Sequence, residues 1–303
     1  MNAAATRHET ALGLASGIGV LLVFSGMFVV SRLGALSTLT IYDMAGLRFG
    51  VAGLAMLPLL WRFRPRNLTW RRSLALAAFS GAPYALCVFG GLTFAPVAHA
   101  GVIVNGAMPV FTALIGWYVF GEAVAGWRAA GVALIVAGVL LIGGDTLTLG
   151  VPDQWRGHAL FLAAALSNAI FLASVRGWRI GAVEMLVAVM GWNALLYLPL
   201  WLLFLPSALA AAPWSEIVLQ GVYQGLVVAT VSAMLLTFAA RTIGATRQAA
   251  ILSGAPALAL LMAIPVLGEI PTAFAIAGAA VVTAGILLVL GPRLLRPPAG
   301  AIP

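Results

Sequence analysis

The chain has 303 residues, of which 63% are hydrophobic and only 8% are charged, and its formal net charge at pH 7 is +8. Soluble domains carry about 25% charged residues, so this composition excludes a water-soluble globule and indicates a protein that crosses a membrane several times. The 16 basic residues are all arginine and lie in short segments between apolar runs. Membrane topology explains this distribution better than nucleic-acid binding does.

Apolar segments of about 20 residues, the length that crosses a bilayer as a helix, recur along the whole sequence. The first is longer than the apolar core of a signal peptide, so we expect it to remain as an uncleaved span. The connections are short, and the stretch from Gly143 to Arg156 is the predicted link between two halves of five spans each. We predict ten transmembrane helices, near residues 11–32, 41–61, 73–94, 96–119, 127–144, 157–178, 183–205, 214–239, 245–267 and 271–292.

Two stretches of the sequence match each other at a constant offset of 147 residues. Because five spans is an odd number, the second copy is expected to be inverted in the membrane, as in the repeats of secondary transporters. The sequence therefore predicts an all-α integral membrane protein in which two inverted five-helix repeats, 1–144 and 157–303, enclose a central cavity and are joined by a periplasmic linker, 145–156. The matching pairs are Pro109 with Pro256, Val119 with Val266, Gly121 with Gly268, Glu122 with Glu269, Ala130 with Ala277, Gly131 with Gly278 and Gly138 with Gly285.

The arginines predict the orientation independently of the repeat. If the N-terminus is inside, only Arg32 and Arg156 fall outside, and Arg48 lies within the membrane. The positive-inside rule then places both termini in the cytoplasm. The arginines predicted on the cytoplasmic side are Arg7, Arg62, Arg64, Arg66, Arg71, Arg72, Arg128, Arg176, Arg179, Arg241, Arg247, Arg293 and Arg296.

Polar side chains near the middle of the spans form the candidate substrate site, because a bilayer core offers them no water. Each one alone is more often a hydrogen bond between helices than a ligand contact. His99, near the outer end of the fourth span, is either a neutral hydrogen-bonded histidine or part of a cavity or gate. The candidate substrate-binding residues are Tyr84, His99, Asn105, Asn168, Trp192, Tyr223, Gln224 and Ser253.

Prolines within the spans free backbone carbonyls that could meet a substrate. Pro109 and Pro256 occupy the same place in the two copies, and Pro83 interrupts the third span. Interrupted helices at corresponding positions of two halves are a pointer to a transporter's binding site. The alternative is that each proline only bends its helix for packing.

Charged and metal-binding groups are scarce at the predicted membrane centre. Arg48 is the one plausible fixed cation there, and it either extends outward to the interface or binds a carboxylate. None of the eight acidic residues is predicted at this depth, so His99 is the remaining candidate for proton coupling. Cys87 is the only cysteine, and no metal-ligand spacing, nucleotide-binding loop or catalytic cluster is evident, so we expect no cofactor, nucleotide or catalytic site.

These features together resemble the EamA-type members of the drug/metabolite transporter superfamily. The resemblance covers nearly the whole chain, and its specific marks are Pro109 to Glu122, Pro256 to Glu269 and Leu47-Arg48-Phe49. One departure is Phe24-Ser25-Gly26, where such proteins often carry a tryptophan-glycine pair. The resemblance implies a central cavity lined by spans one to four and six to nine, alternating access by rocking of the halves, and often export of amino acids or related metabolites.

Together with this resemblance, the sequence predicts a secondary transporter or facilitator that exports small amphipathic metabolites, above all aromatic or other apolar amino acids, across a bacterial inner membrane. Its expected partners are a small-molecule substrate and the lipid bilayer, without nucleic acid, and a monomer is one option for its assembly. An exporter of lipophilic drugs is the nearest alternative. A membrane enzyme acting on lipid-linked substrates and a scaffold subunit are more distant ones.

Overall fold

The computed structural model describes residues 3–62, 68–149 and 151–291. In these ranges the chain is helical, without strands, because a helix satisfies every backbone hydrogen bond within its own segment in lipid. The predicted arginines Arg64, Arg66, Arg293 and Arg296 lie outside the described residues. The helices are α1 Ala3–Ala35, α2 Ile41–Arg62, α3 Trp70–Ser80, α4 Ala82–Phe94, α5 Val97–Phe120, α6 Trp127–Leu149, α7 Gln154–Trp178, α8 Ala182–Phe204, α9 Trp214–Gln220, α10 Ser232–Thr242, α11 Ala245–Leu252, α12 Ala255–Leu267 and α13 Ala273–Leu290, with a π-helical segment Gly221–Val231 between α9 and α10.

These elements form the membrane-length spans that the sequence predicts. Within the described residues, nine spans are long and apolar enough to cross a membrane. The helix α2, at 22 residues, is also of membrane-spanning length. The fold is therefore that of an all-α integral membrane protein. We call the face at which α1 begins the proximal face and the face at which α1 ends the distal face. The sequence predicts that the proximal face is cytoplasmic.

Three spans are interrupted helices. The third span divides into α3 and α4 at Gly81, the ninth into α11 and α12 at Ser253 and Gly254, and the eighth widens into the π-helical segment. The break at Gly81 is satisfied by side chains from the other half of the chain. The Oδ1 of Asn193 accepts from the Ala82 N–H at 2.7 Å, and the hydroxyl of Ser167 donates to the Phe79 carbonyl at 2.7 Å.

The first half of the chain ends further along the sequence than predicted. The helix α6 continues to Leu149 and α7 begins at Gln154, so most of the predicted linker, 145–156, is helical. Asp145 to Leu149 lie in α6, and 154–156 form the first turn of α7. The Pro/Asp/Gly pattern therefore marks only the short connection itself.

Glycines allow α6 and α13, the last spans of the two halves, to pack closely. A Cβ at Gly138 would lie 3.0 Å from the Gly278 carbonyl oxygen, and one at Gly285 would lie 2.9 Å from the Gly131 carbonyl oxygen. Gly131 thus faces Gly285 while Gly138 faces Gly278, which means that the two helices run antiparallel. Small residues permit such close approach of membrane helices.

The same two helices make reciprocal contacts. Gly131 faces Val289, and its counterpart at an offset of 147, Gly278, faces Ile142. The counterpart of Val289 at that offset is Ile142, so each contact has its equivalent in the other half.

We expect Gly138→Leu to destabilise the protein, because a side chain there meets the Val282 Cγ2 at 2.7 Å as well as the α13 backbone. Overpacking typically costs about 1–3 kcal/mol, which should appear as a lower melting temperature of the detergent-purified protein. The matched control is Gly143→Leu in the same helix, because nothing lies within 4 Å of a Cβ there. Equal melting temperatures for the two variants would contradict the close-packing interpretation.

Candidate functional site

A cavity of about 520 Å³ lies in the middle of the bundle, within the range of small-molecule binding sites. Met185 and Leu186 at the start of α8, together with Val289 and Leu290 at the end of α13, line its outer part. Both of those helix ends lie at the proximal face. The cavity therefore extends from the middle of the membrane span to the proximal face.

Six of the residues predicted for the site line this cavity. They come from both halves of the chain and lie near the middle of their spans. None of the residues lining the cavity in the described part of the chain is acidic. The six are Arg48, Tyr84, Asn105, Pro109, Asn168 and Ser253.

The polar groups around the cavity are held by local hydrogen bonds. The Asn105 Nδ2 donates to the Gly101 carbonyl at 2.9 Å, and the Ser253 hydroxyl donates to the Ala250 carbonyl at 2.6 Å. The Asn168 Nδ2 lies 3.4 Å from the Met108 Sδ. These side chains are therefore positioned before any ligand arrives, which lowers the cost of ordering on binding.

Arg48 lines the cavity from α2. Only 9% of its surface is exposed, so it does not extend outward to the interface. Its Nη1 donates to the Gln224 Oε1 at 3.3 Å and lies 3.9 Å from the Met27 Sδ. Within the described residues, its Nε has no hydrogen-bond partner.

Gln224 supports Arg48 instead of lining the cavity. Its Nε2 donates to the Ser31 hydroxyl at 2.8 Å, and Ser31 in turn donates to the Met27 carbonyl at 2.6 Å. Gln224 lies on the π-helical segment. Such segments are rare and occur mostly at functional sites, because the wider turn shifts the direction of the following side chains.

Three other predicted residues lie away from the cavity. The Trp192 Nε1 donates to the Ser73 hydroxyl at 2.7 Å, because this face of α8 packs against α3. The Tyr223 hydroxyl donates to the Val23 carbonyl at 3.1 Å and packs beside Gly26 of α1. His99 lies near the distal face, where its Nδ1 is 2.9 Å from the His158 Nε2.

The prolines occupy different structural positions. Pro109 lies within the continuous helix α5 and lines the cavity. Pro83 and Pro256 lie in the first turns of α4 and α12, where the missing N–H costs nothing. The two copies of the duplicated proline therefore differ, since one sits inside a helix and the other begins one.

The apolar part of the lining was not predicted from the sequence. Four methionines contribute to it. Met is flexible and polarisable, so it adapts to ligands of different shape. Four of the nine methionines in the chain lie here, but their positions carry no pattern that distinguishes them from core residues. They are Met27, Met108, Met185 and Met190.

The distal end of the bundle is closed by a buried carboxylate. Asp43 has no exposed surface, and its oxygens accept from the Trp201 Nε1 at 2.9 Å, the Ala208 N–H at 2.9 Å and the Thr40 hydroxyl at 2.8 Å. The Ser207 hydroxyl donates as well. Asp43 thereby fixes the segment after α8 over the start of α2.

A second distal contact joins the two halves through the duplicated glutamate. Gly268 ends α12 with a φ of 68°, a left-handed conformation that favours glycine. The following Glu269 accepts from the Arg32 Nε at 2.8 Å and from the Val97 N–H at 2.9 Å. Glu269 therefore caps α5 in the other half of the chain.

The proximal face carries the counterpart of this contact. Gly121 ends α5 with a φ of 66°, and the following Glu122 pairs with Arg176 at the end of α7. Arg32 ends the first span of its half and Arg176 ends the first span of the other. The Arg32 and Glu269 side chains are 16% and 20% exposed, whereas Arg176 and Glu122 are 62% and 34% exposed. The distal pair is therefore the more deeply enclosed.

Comparison with known proteins finds a family match over part of the chain. The sequence model of the EamA-like transporter family matches residues 11–144. A protein of Escherichia coli (strain K12) described as a probable amino-acid metabolite efflux pump is 33% identical over 151 residues, 50% of this chain. The alignment spans about half of that relative, 48% of its length.

A solved structure titled "Crystal structure of protein" has the same overall fold. It superposes with a TM-score of 0.57 over 96% of this chain and 99% of its own, at 20% sequence identity. The matching family and the Escherichia coli relative are both described as transport proteins. With its apolar membrane-length helices, the chain is a multi-pass membrane protein, and its residues 11–144 are similar to the EamA-like transporter family.

Proposed function

We propose that this protein is a secondary transporter or facilitator that exports small amphipathic metabolites, above all aromatic or other apolar amino acids, across a bacterial inner membrane. The observation that carries the proposal is the central cavity, which extends to the proximal face and is closed toward the distal face. A cavity accessible from one side at a time is the requirement for alternating access. With a cytoplasmic proximal face, this state loads substrate from the cytoplasm.

The contacts between the halves support an inverted repeat. The last spans of the two halves, α6 and α13, pack antiparallel to each other, as expected for an inverted repeat. The same relation holds elsewhere, since α1 packs on α10 and α12 while α7 packs on α4 and α5. In each case the first span of one half contacts the third and fourth spans of the other.

The two ion pairs supply the matching gates. Arg32 with Glu269 closes the distal face, and Arg176 with Glu122 lies at the proximal face. Each pair connects one half to the other, so a rocking motion of the halves can break one pair while it tightens the other. Enclosure of the distal pair agrees with a state that is closed on that side.

The lining supports amino acids as substrates. Aromatic and methionine side chains of the lining suit the apolar part of an amino acid, and Asn105, Asn168 and Ser253 can form hydrogen bonds with its polar ends. The Escherichia coli relative is described as a probable amino-acid metabolite efflux pump. A lipophilic cation fits less well, because the described lining holds the cation Arg48 and no acidic residue.

We expect the protein reconstituted in liposomes to exchange radiolabelled apolar amino acids. Asn105→Ala should lower the flux about 2- to 10-fold, the value of one hydrogen bond to the substrate. Trp192→Phe is the matched control, because Trp192 contacts Ser73 and not the cavity. No flux of any amino acid in the wild type, or equal loss in both variants, would contradict the proposal.

The gates can be tested by labelling a cysteine in the cavity. In a Cys87→Ser background, Asn105→Cys should react with a membrane-impermeant maleimide from the proximal side. We expect Glu269→Gln to increase labelling from the distal side several-fold, because it removes the charge that holds Arg32. Glu122→Gln, the equivalent change on the proximal face, should not increase distal labelling. Increased distal labelling in Glu122→Gln but not in Glu269→Gln would contradict this assignment of the gates.

A further inference from the structure

Arg48 is a buried cation without a counter-ion in the described part of the chain. The ion pairs found there are Arg32 with Glu269, Arg156 with Asp153 and Arg176 with Glu122. Asp43, five residues before Arg48, has its two oxygens occupied by four neighbouring residues. Arg48 therefore keeps its charge facing the cavity.

The contacts that Arg48 does make, which include the Phe49 ring centroid 5.9 Å from its Cζ, are too weak to compensate its burial. A guanidinium carries five N–H donors, and the acceptors described for it are one amide oxygen at 3.3 Å and one thioether sulphur at 3.9 Å. Among the described residues, its Nε has no hydrogen-bond partner. A buried charge without a partner is strongly unfavourable, so its presence in a ligand-sized cavity points to an anionic ligand.

The shape of the Arg48 guanidinium narrows the class of anionic ligand further. A guanidinium presents parallel N–H donors that match the two oxygens of a carboxylate. The rest of the lining is apolar with a few amides and hydroxyls, and no acidic residue among the described ones could hold an ammonium group as a counter-ion. The cavity therefore has an anchor for the carboxylate and only neutral acceptors for the amino group.

We propose that Arg48 is the carboxylate-binding residue of the cavity, so that the transported class is small monocarboxylates with an apolar body, for which the amino group is dispensable. Gln224 is a positioning residue that holds the guanidinium through its own bond to Ser31. The inference rests on the proposed transport function and adds the part of the substrate that is recognised. It extends the substrates from amino acids to the corresponding acids that lack nitrogen.

Three compounds with the same ring test this proposal: phenylalanine, 3-phenylpropanoate and phenethylamine. We expect the first two to raise the melting temperature of the wild-type protein and phenethylamine to leave it unchanged, because a ligand that binds the native state stabilises it. Arg48→Gln should weaken the binding of both carboxylates about 10- to 100-fold, the value of a charge-assisted hydrogen bond. The affinity of Arg48→Lys for the two carboxylates should lie between those of the wild type and of Arg48→Gln, since lysine keeps the charge but not the paired donors.

A separate readout distinguishes a ligand site from a structural role. Without ligand, Arg48→Met should melt at a higher temperature than the wild type, because it removes an uncompensated buried charge. A structural Arg48 would give the opposite result. Arg156→Gln is the control for loss of an arginine, since that side chain is 53% exposed and lies outside the cavity.

Different results would overturn the role of Arg48 alone or the proposed transport function as well. Transport of phenylalanine that is unaffected by Arg48→Gln would overturn the role of Arg48 and leave the transporter intact. Stabilisation by phenethylamine, or by chloride or phosphate in place of the carboxylates, would also overturn it. Absence of binding and of flux for every compound in the wild type would overturn both.

Discussion

The close antiparallel packing of α6 against α13 is the contact on which the rest of the architecture depends. Glycines on each helix lie against backbone carbonyls of the other, so the contact has no long side chains that could rearrange. The contacts between the halves at the two faces are of a different kind. Each face carries an ion pair whose long side chains can separate and meet again. A fixed contact together with exchangeable ones allows the halves to rock without coming apart.

The number and extent of the spans could be predicted from the sequence, because apolar length alone determines them. The duplicated glycines and glutamates could also be recognised as a repeat. Their partners could not, since Glu269 lies against Arg32 and Val97, which are far from it in the sequence. The break at Gly81 was hidden for the same reason, because it is stabilised by Asn193 and Ser167 from the other half.

The candidate site was predictable in part. Depth in the membrane can be counted from a span boundary, but the rotation of a helix about its axis depends on its neighbours. Asn105 and Trp192 were both expected near the centre, yet one faces the cavity and the other faces α3. Polar residues at this depth serve either a ligand or a neighbouring helix, and the sequence by itself does not distinguish the two. The methionines of the lining gave no signal, since they look like core residues.

The uncompensated charge of Arg48 has an energetic consequence for how transport is driven. A monocarboxylate bound to Arg48 crosses as a neutral pair and the empty protein returns with the Arg48 charge, so one complete cycle moves the net charge of the free anion across the bilayer. Each negative charge that leaves a cell with a negative interior gains about 2.3 kcal/mol for every 100 mV of membrane potential. Acids without an amino group would thus be driven outward by voltage alone, whereas zwitterionic amino acids would only follow their own concentration gradient.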